Sequence, residues 1–186
     1  MSCMDKPQED SRNLIDKYKN QENEKIIADL DETRISLEIA IENLSHDFNI
    51  GTIVRNANAF NVKKLHIIGK RKYNRRGAMV TDKYLHIFHW ATPAEFYEYA
   101  KSEQKHLIAI ENNRPDCKPL RLANFSDSSI LIFGSESDGI SAELLSLTES
   151  SFYIEQLGST RSINVGCASA VAMYEYAKQK GFLDNA

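Results

Sequence analysis

Asn49-Ile50-Gly51-Thr52-Ile53-Val54-Arg55-Asn56-Ala57 decides how this chain is read. Just before it, Ile35, Leu37, Ile39 and Ile41 recur with the period of two that a strand imposes. From Ile50 the spacing changes: Ile50, Ile53, Val54, Ala57 and Phe60 fall on one face of a helix. A strand therefore feeds a helix, and Asn49 stands where an N-cap belongs, its side-chain oxygen able to accept from first-turn N–H groups. Arg55 sits in that helix between the apolar Val54 and Ala57. A guanidinium near a strand-to-helix corner is a candidate for gripping a phosphate or carboxylate through its planar fork. The alternative is a surface arginine whose stem covers apolar neighbours.

The same alternation continues along the chain. Strands are expected at 62–68, 85–90, 106–110, 130–133 and 152–154, and a helix at 92–103 with Thr92 as cap and Pro93 at its first position. Further helices are expected at 140–147 and 162–180, the last ended by Gly181. Residues 112–128, with Pro115 and Pro119, read as loop. Residues 1–33 read as a charged helical extension whose stripes (Leu14, Ile15, Tyr18; then Ile26, Ile27, Leu30) pack on the main domain of residues 34–186. Alternating strand and helix argues for a mostly parallel sheet with helices on both faces. Ligands in such sheets sit beyond the carboxyl ends of the strands.

The bulk properties exclude several classes. No apolar run approaches the ~20 residues of a membrane span, and the polar, acidic N-terminus is not that of a secretory signal. Three scattered cysteines, Cys3, Cys117 and Cys167, suit a reducing cytoplasm and no disulfide framework. No metal site is expected: no cysteine pair has zinc-ligand spacing, and His86 and His89 lie in a strand. The net charge of −3 hides an asymmetry. Residues 55–90 carry nine Lys/Arg against the single acid Asp82. A local basic field of that kind suits a polyphosphate partner such as RNA. Lys70, Arg71, Lys72, Arg75 and Arg76 are the candidate RNA-binding residues, and Tyr73 either stacks on an unpaired base or packs at the core.

Two further strand ends are chemically loaded. In Phe133-Gly134-Ser135-Glu136-Ser137-Asp138-Gly139, Gly134 lets backbone approach a ligand and Glu136 offers a carboxylate. In Leu157-Gly158-Ser159-Thr160-Arg161-Ser162-Ile163-Asn164-Val165, a small-residue loop feeds a helix that starts at Ser162 or Asn164, and its free N–H groups suit an anionic group. The glycine fingerprints of dinucleotide-binding and P-loop proteins are missing, as is the G-x-S-x-G of a serine hydrolase.

Taken together and in order, Asn49-x-Gly51-x-Ile53-x-Arg55-x-Ala57, Ile132-Phe133-Gly134-x-Glu136-x-x-Gly139 and Ser162-Ile163-Asn164-Val165 resemble the three motifs of the SpoU (TrmH-like) branch of the SPOUT RNA methyltransferases. The resemblance spans residues 35–180. It implies an α/β fold with a C-terminal deep trefoil knot, an exception to the rule that chains do not knot. It implies a homodimer, S-adenosylmethionine as cofactor, and methyl transfer to a ribose 2′-hydroxyl of tRNA or rRNA, with tRNA favoured. Carried onto this chain, Asn49, Arg55, Glu136, Ser162 and Asn164 match the catalytic positions. Ala109, Ile110, Gly134, Ile154, Leu157 and Ser162 match the cofactor-binding positions. The chain departs from the pattern at Asn61, where glycine is usual and where Asn tolerates positive φ better than most residues. It departs also at Asn56, where threonine is common, and at Ser135 and Ser137. Two other readings stay open: a non-catalytic RNA-binding or assembly module of the same fold, and a SPOUT enzyme acting on a base nitrogen.

Overall fold

The computed structural model describes residues 10–43, 49–73, 75–135 and 138–184; the side chain of Arg76 is not among what it describes. Among these residues seven strands form one sheet: β1 (Ile35–Asn43), β2 (Val62–Gly69), β3 (Ile87–Trp90), β4 (His106–Ile110), β5 (Lys118–Pro119), β6 (Ser129–Phe133) and β7 (Ser150–Tyr153). Their order is β3-β2-β1-β6-β4-β7-β5, and every pairing is parallel. The expected strands are all present within a few residues. The exception is β5, two residues long, in the stretch read as loop; a strand that ends at Pro119 has no period to betray it.

Among the described residues five α-helices accompany the sheet: α1 (Asn23–Asp31), α2 (Asn49–Ala59), α3 (Pro93–Ser102), α4 (Ala142–Ser146) and α5 (Val165–Gln179). The odd positions of β1, Leu37, Ile39 and Ile41, pack in one core with Ile50, Ile53, Val54 and Ala57 of α2 and Ala172, Met173 and Tyr176 of α5. On the other face Ala40 joins Ile68, Phe96 and Ala100 of α3, and Leu144 of α4. Both faces of β1 are thus covered, including the even positions that look polar in sequence. Glu38 is fully buried: its carboxylate meets His66 Nε2 at 2.9 Å and Lys105 Nζ at 2.6 Å, and accepts from the Tyr99 hydroxyl at 2.9 Å. Glu42 accepts from the Ser141 N–H at 2.7 Å, just ahead of α4. A buried carboxylate is tolerated only with such partners.

Most of the N-terminal stripe residues are buried or half-buried, but Ile15, expected to pack with Leu14 and Tyr18, is 65% exposed. Tyr18 and Ile26 form a small core with Tyr84, with Leu14, Ile27 and Leu30 at its edge. Arg34 ties the junction, donating to Asp31, Asn61 and the Tyr84 carbonyl. Asn61 adopts φ 48°, the left-handed turn that glycine would otherwise serve, and its amide donates to the Leu30 carbonyl.

Candidate active site

The carboxyl ends of β4, β6 and β7 open into a cavity of about 330 Å³. Ile110, Gly134, Tyr153 and Ile154 form its strand-end wall; Ser162, Ile163, Val165 and Ala168 close it from α5 and the loop before it. Gly134 is obligatory here. A Cβ at this position would collide with the Gly139 backbone, because residues 135 and 139 pair as a tight hairpin through N–H···O bonds of 3.0 Å each way. The close approach expected of Gly134 is therefore to its own loop, and it is this approach that brings the turn to the cavity. Glu111, directly after β4, braces the same wall. One carboxylate oxygen accepts from the N–H groups of Asn112 and Asn113, at 2.8 and 3.3 Å, and the other from that of Ile140 at 3.2 Å. Asn112 also donates to the Arg161 carbonyl at 3.0 Å, joining the β4 exit to the loop before α5.

The first and third motifs meet where α2 and α5 begin. Asn164 caps α5: its Oδ1 accepts from Cys167 N–H at 3.2 Å, while its Nδ2 donates to Asn49 Oδ1 at 2.7 Å. Of the two starts considered, Asn164 is the cap, and Ser162 lies before the helix. Asn49 is the first residue of α2, not its cap. Four residues on from Thr52, Asn56 holds the helices together, its Nδ2 donating to the Gly166 carbonyl at 2.8 Å and Ser169 Oγ at 2.9 Å. The helices touch so closely that a Cβ on Gly166 would lie 2.7 Å from Thr52 Cγ2.

The cavity takes in Ile110, Gly134, Ile154 and Ser162 of the expected cofactor residues. Ala109 is fully buried one residue behind the wall, because strand side chains alternate and only its neighbour faces the opening. Leu157 does not line the cavity; its side chain is fully exposed on the loop between β7 and α5. Arg55 is exposed on α2, outside the residues that line the cavity. Glu136 lies outside the described residues. The basic loop is tied to the sheet end by Asn43, whose amide donates to the Lys70 and Lys72 carbonyls. Lys70, Arg71, Lys72 and Arg75 are exposed, and Arg75 pairs with Asp82 at 3.5 Å. Tyr73 packs against the core, which favours packing over base stacking. Sequence reasoning missed Glu111, Asn112 and Gln156, all at the cavity and none marked by period, and it includes Arg161 within the third loop without singling it out.

The family profile described as "SpoU rRNA Methylase family" matches residues 36–174. This chain belongs to the SpoU methylase family. Among curated relatives, the tRNA (guanosine(18)-2'-O)-methyltransferase of Thermus thermophilus is 25% identical over 148 residues, 77% of this chain and 75% of the relative. The enzyme of the same name from Escherichia coli K12 is 24% identical over 149 residues, 77% of this chain and 64% of its own length. Among solved structures, the A. aeolicus TrmH/SpoU tRNA modifying enzyme superposes with a TM-score of 0.74 at 21% identity, covering 86% of this chain and 83% of that one. The SpoU methyltransferase AviRb from Streptomyces viridochromogenes, crystallised in complex with the cofactor AdoMet, superposes with a TM-score of 0.71 at 21% identity, covering 83% and 64%. At such identities the superpositions speak for the fold. The parallel sheet is what the resemblance implied, and the cavity lies at the strand carboxyl ends, as expected of such sheets.

Proposed function

We propose that this SpoU-family protein is an S-adenosylmethionine-dependent RNA methyltransferase that modifies a ribose 2′-hydroxyl. The observation that carries the reading is the Asn49–Asn164 hydrogen bond, which fastens the first motif to the third beside the cavity walled by the second. The cavity fits the cofactor. Its lining combines apolar side chains (Ile110, Ile154, Ile163, Val165) with polar groups that can fix a ligand's orientation (Asn112, Gln156, Ser162). At its edge Gln156 Oε1 is buried with no hydrogen-bond partner among the described residues, an acceptor that suits a donor-bearing ligand. Ile110, Gly134, Ile154, Ile163 and Val165 would hold it. When bound, S-adenosylmethionine supplies an electrophilic sulfonium methyl.

The chain's own work is on the nucleophile. A ribose hydroxyl is a weak acid and must lose its proton as it reacts. Arg55 stays protonated in proteins and does not serve as a free base. Its role in this proposal is to hold the adjacent phosphate in a bidentate grip and stabilise the developing alkoxide, while that phosphate or water takes the proton. An exposed position on α2 suits a group that meets RNA arriving from solvent. Asn49 and Glu136 orient it, and Ser162 and Asn164 shape the donor side. Lys70, Arg71, Lys72, Arg75 and Arg76 track the RNA backbone, which makes binding fall steeply with salt.

The finer points belong to the same proposal: a trefoil knot formed by the C-terminal portion, a homodimer working in the cytoplasm, an arm of residues 1–33 on a catalytic domain of 34–186, and tRNA as substrate. The tRNA enzymes among the relatives support the last. Mapping 2′-O-methylation across total RNA with and without the protein tests the reading. The expected result is one nucleotide whose methyl stays on the sugar after glycosidic cleavage. A methyl recovered on a base, or none at all with cofactor bound, rejects it.

A further inference from the structure

The turn that follows the basic loop carries two consecutive non-glycine residues in the left-handed region, Met79 (φ 49°) and Val80 (φ 66°). A β-branched residue there is a genuine outlier. Both side chains are apolar, yet they are 51% and 55% exposed. The turn is pinned on either side. Gly77 lies so close to α2 that a Cβ on it would sit 2.8 Å from the Thr52 nitrogen. Ala78 and Thr81 are buried, Ala78 N–H donates to the Arg75 carbonyl at 3.0 Å, and Thr81 Oγ1 donates to the Ala78 carbonyl at 2.6 Å. Gly77, Ala78 and Thr81 are held in this way, and the two residues between Ala78 and Thr81 stand outward. The two left-handed residues store backbone strain, and strain of this kind collects at binding sites.

What surrounds the tip identifies its partner. From Lys70 to Lys83 the chain has six Lys/Arg and one acid, and that acid, Asp82, is already paired with Arg75. An apolar tip set within a basic stretch of chain, with Gly77 packed against Thr52 of α2, suits a polyanion with flat apolar faces better than an uncharged apolar groove or an acidic peptide. We propose that Met79 and Val80 form an apolar wedge that packs against an unpaired base of the RNA, next to the nucleotide being methylated. The surrounding cations hold the phosphates, and the wedge fills the space left when bases unstack to present a ribose. This rests on the RNA methyltransferase reading.

The test compares the wild-type protein with the double variant Met79→Gly/Val80→Gly, which removes both side chains and suits φ > 0, and with Met79→Asn/Val80→Asn, which keeps side chains of similar reach but polar. Expected for both are an unchanged melting temperature or a higher one, unchanged S-adenosylmethionine affinity, and an RNA Kd raised about tenfold, the scale of one lost base contact. The slope of log Kd against log salt should stay as in the wild type, since no phosphate contact is lost. An RNA Kd equal to the wild type's overturns the wedge, as does a flattened salt slope. A change of oligomeric state in sedimentation also overturns it, by assigning the tip to a protein interface. If the wild-type protein methylates no RNA, the parent reading has failed; if it does and the variants bind RNA equally well, only the wedge has.

Discussion

In the proposed mechanism Arg55 meets the substrate, whereas Asn164 holds the site together. Asn164 uses both ends of its amide, capping α5 with one and gripping Asn49 with the other. Arg55 stands exposed on α2, six residues after the first motif opens. Arg55→Ala should therefore abolish methyl transfer while leaving cofactor affinity within about twofold, measured by calorimetry alongside a turnover assay; near-normal turnover would end its assigned role. Arg55→Lys should fail as well, because a point charge cannot reproduce a planar fork. The identities of these residues were legible from the chain, since each falls inside a spaced motif. What Asn56 does was not. It reads as a neutral replacement for threonine, yet its amide is one of the bonds that fasten α2 to α5. No local pattern announces a partner 110 residues away.

At the scale of elements, the site depends on how closely α2 and α5 lie. Gly166 and Ser169 present backbone and a small hydroxyl to Thr52 and Asn56, so the helices meet with little side chain between them. Gly166→Ala should cost about 1–3 kcal/mol, the range for overpacking a tight contact, and should weaken activity by moving Asn164 away from Asn49. Thr52→Ser in the same chain removes the colliding methyl and should recover part of the loss in urea denaturation. No recovery would show that the contact is not what limits Gly166. The helices themselves followed from period and caps, Thr92 and Pro93 being the clearest. The hairpin of residues 135 and 139 did not, because a glycine after a strand signals freedom without saying which backbone will use it.

Over the whole molecule, the buried cluster on the α3 face governs the response to acid. Burial alone would raise the Glu38 carboxyl; hydrogen bonds from His66 and Lys105 outweigh it and bring it down to about 2. Burial pushes His66 below its ordinary value, against the pull of Glu38. Trp90 Nε1–H donates to His66 Nδ1 at 3.1 Å, so the ring sits as the neutral tautomer that donates from Nε2. Both groups have folded values lowered from the unfolded ones, so both contribute stability that is present at neutral pH and lost on acidification. His66 begins to cost stability below its ordinary 6.5, and Glu38 from its ordinary 4.5 down to about 2. Urea midpoints should fall from pH 7 to pH 5.5 and fall further by pH 4, and Glu38→Ala should destabilise the fold by about 3–5 kcal/mol at pH 7 by leaving Lys105 buried and unpaired. A flat profile over that range would reject the assignment. The sequence by itself determined the alternation of strand and helix, hence the parallel sheet and the strand ends at which the cavity opens, because side-chain period and capping are local properties of neighbouring residues. It also marked three loops as the candidates for chemistry. Only the tertiary structure decided that the polar side of β1 is buried around Glu38, that Leu157 faces outward, and that Met79 and Val80 are thrust from the basic loop. Each of those depends on a partner distant along the chain, and distance along the chain carries no information about proximity until the fold has closed.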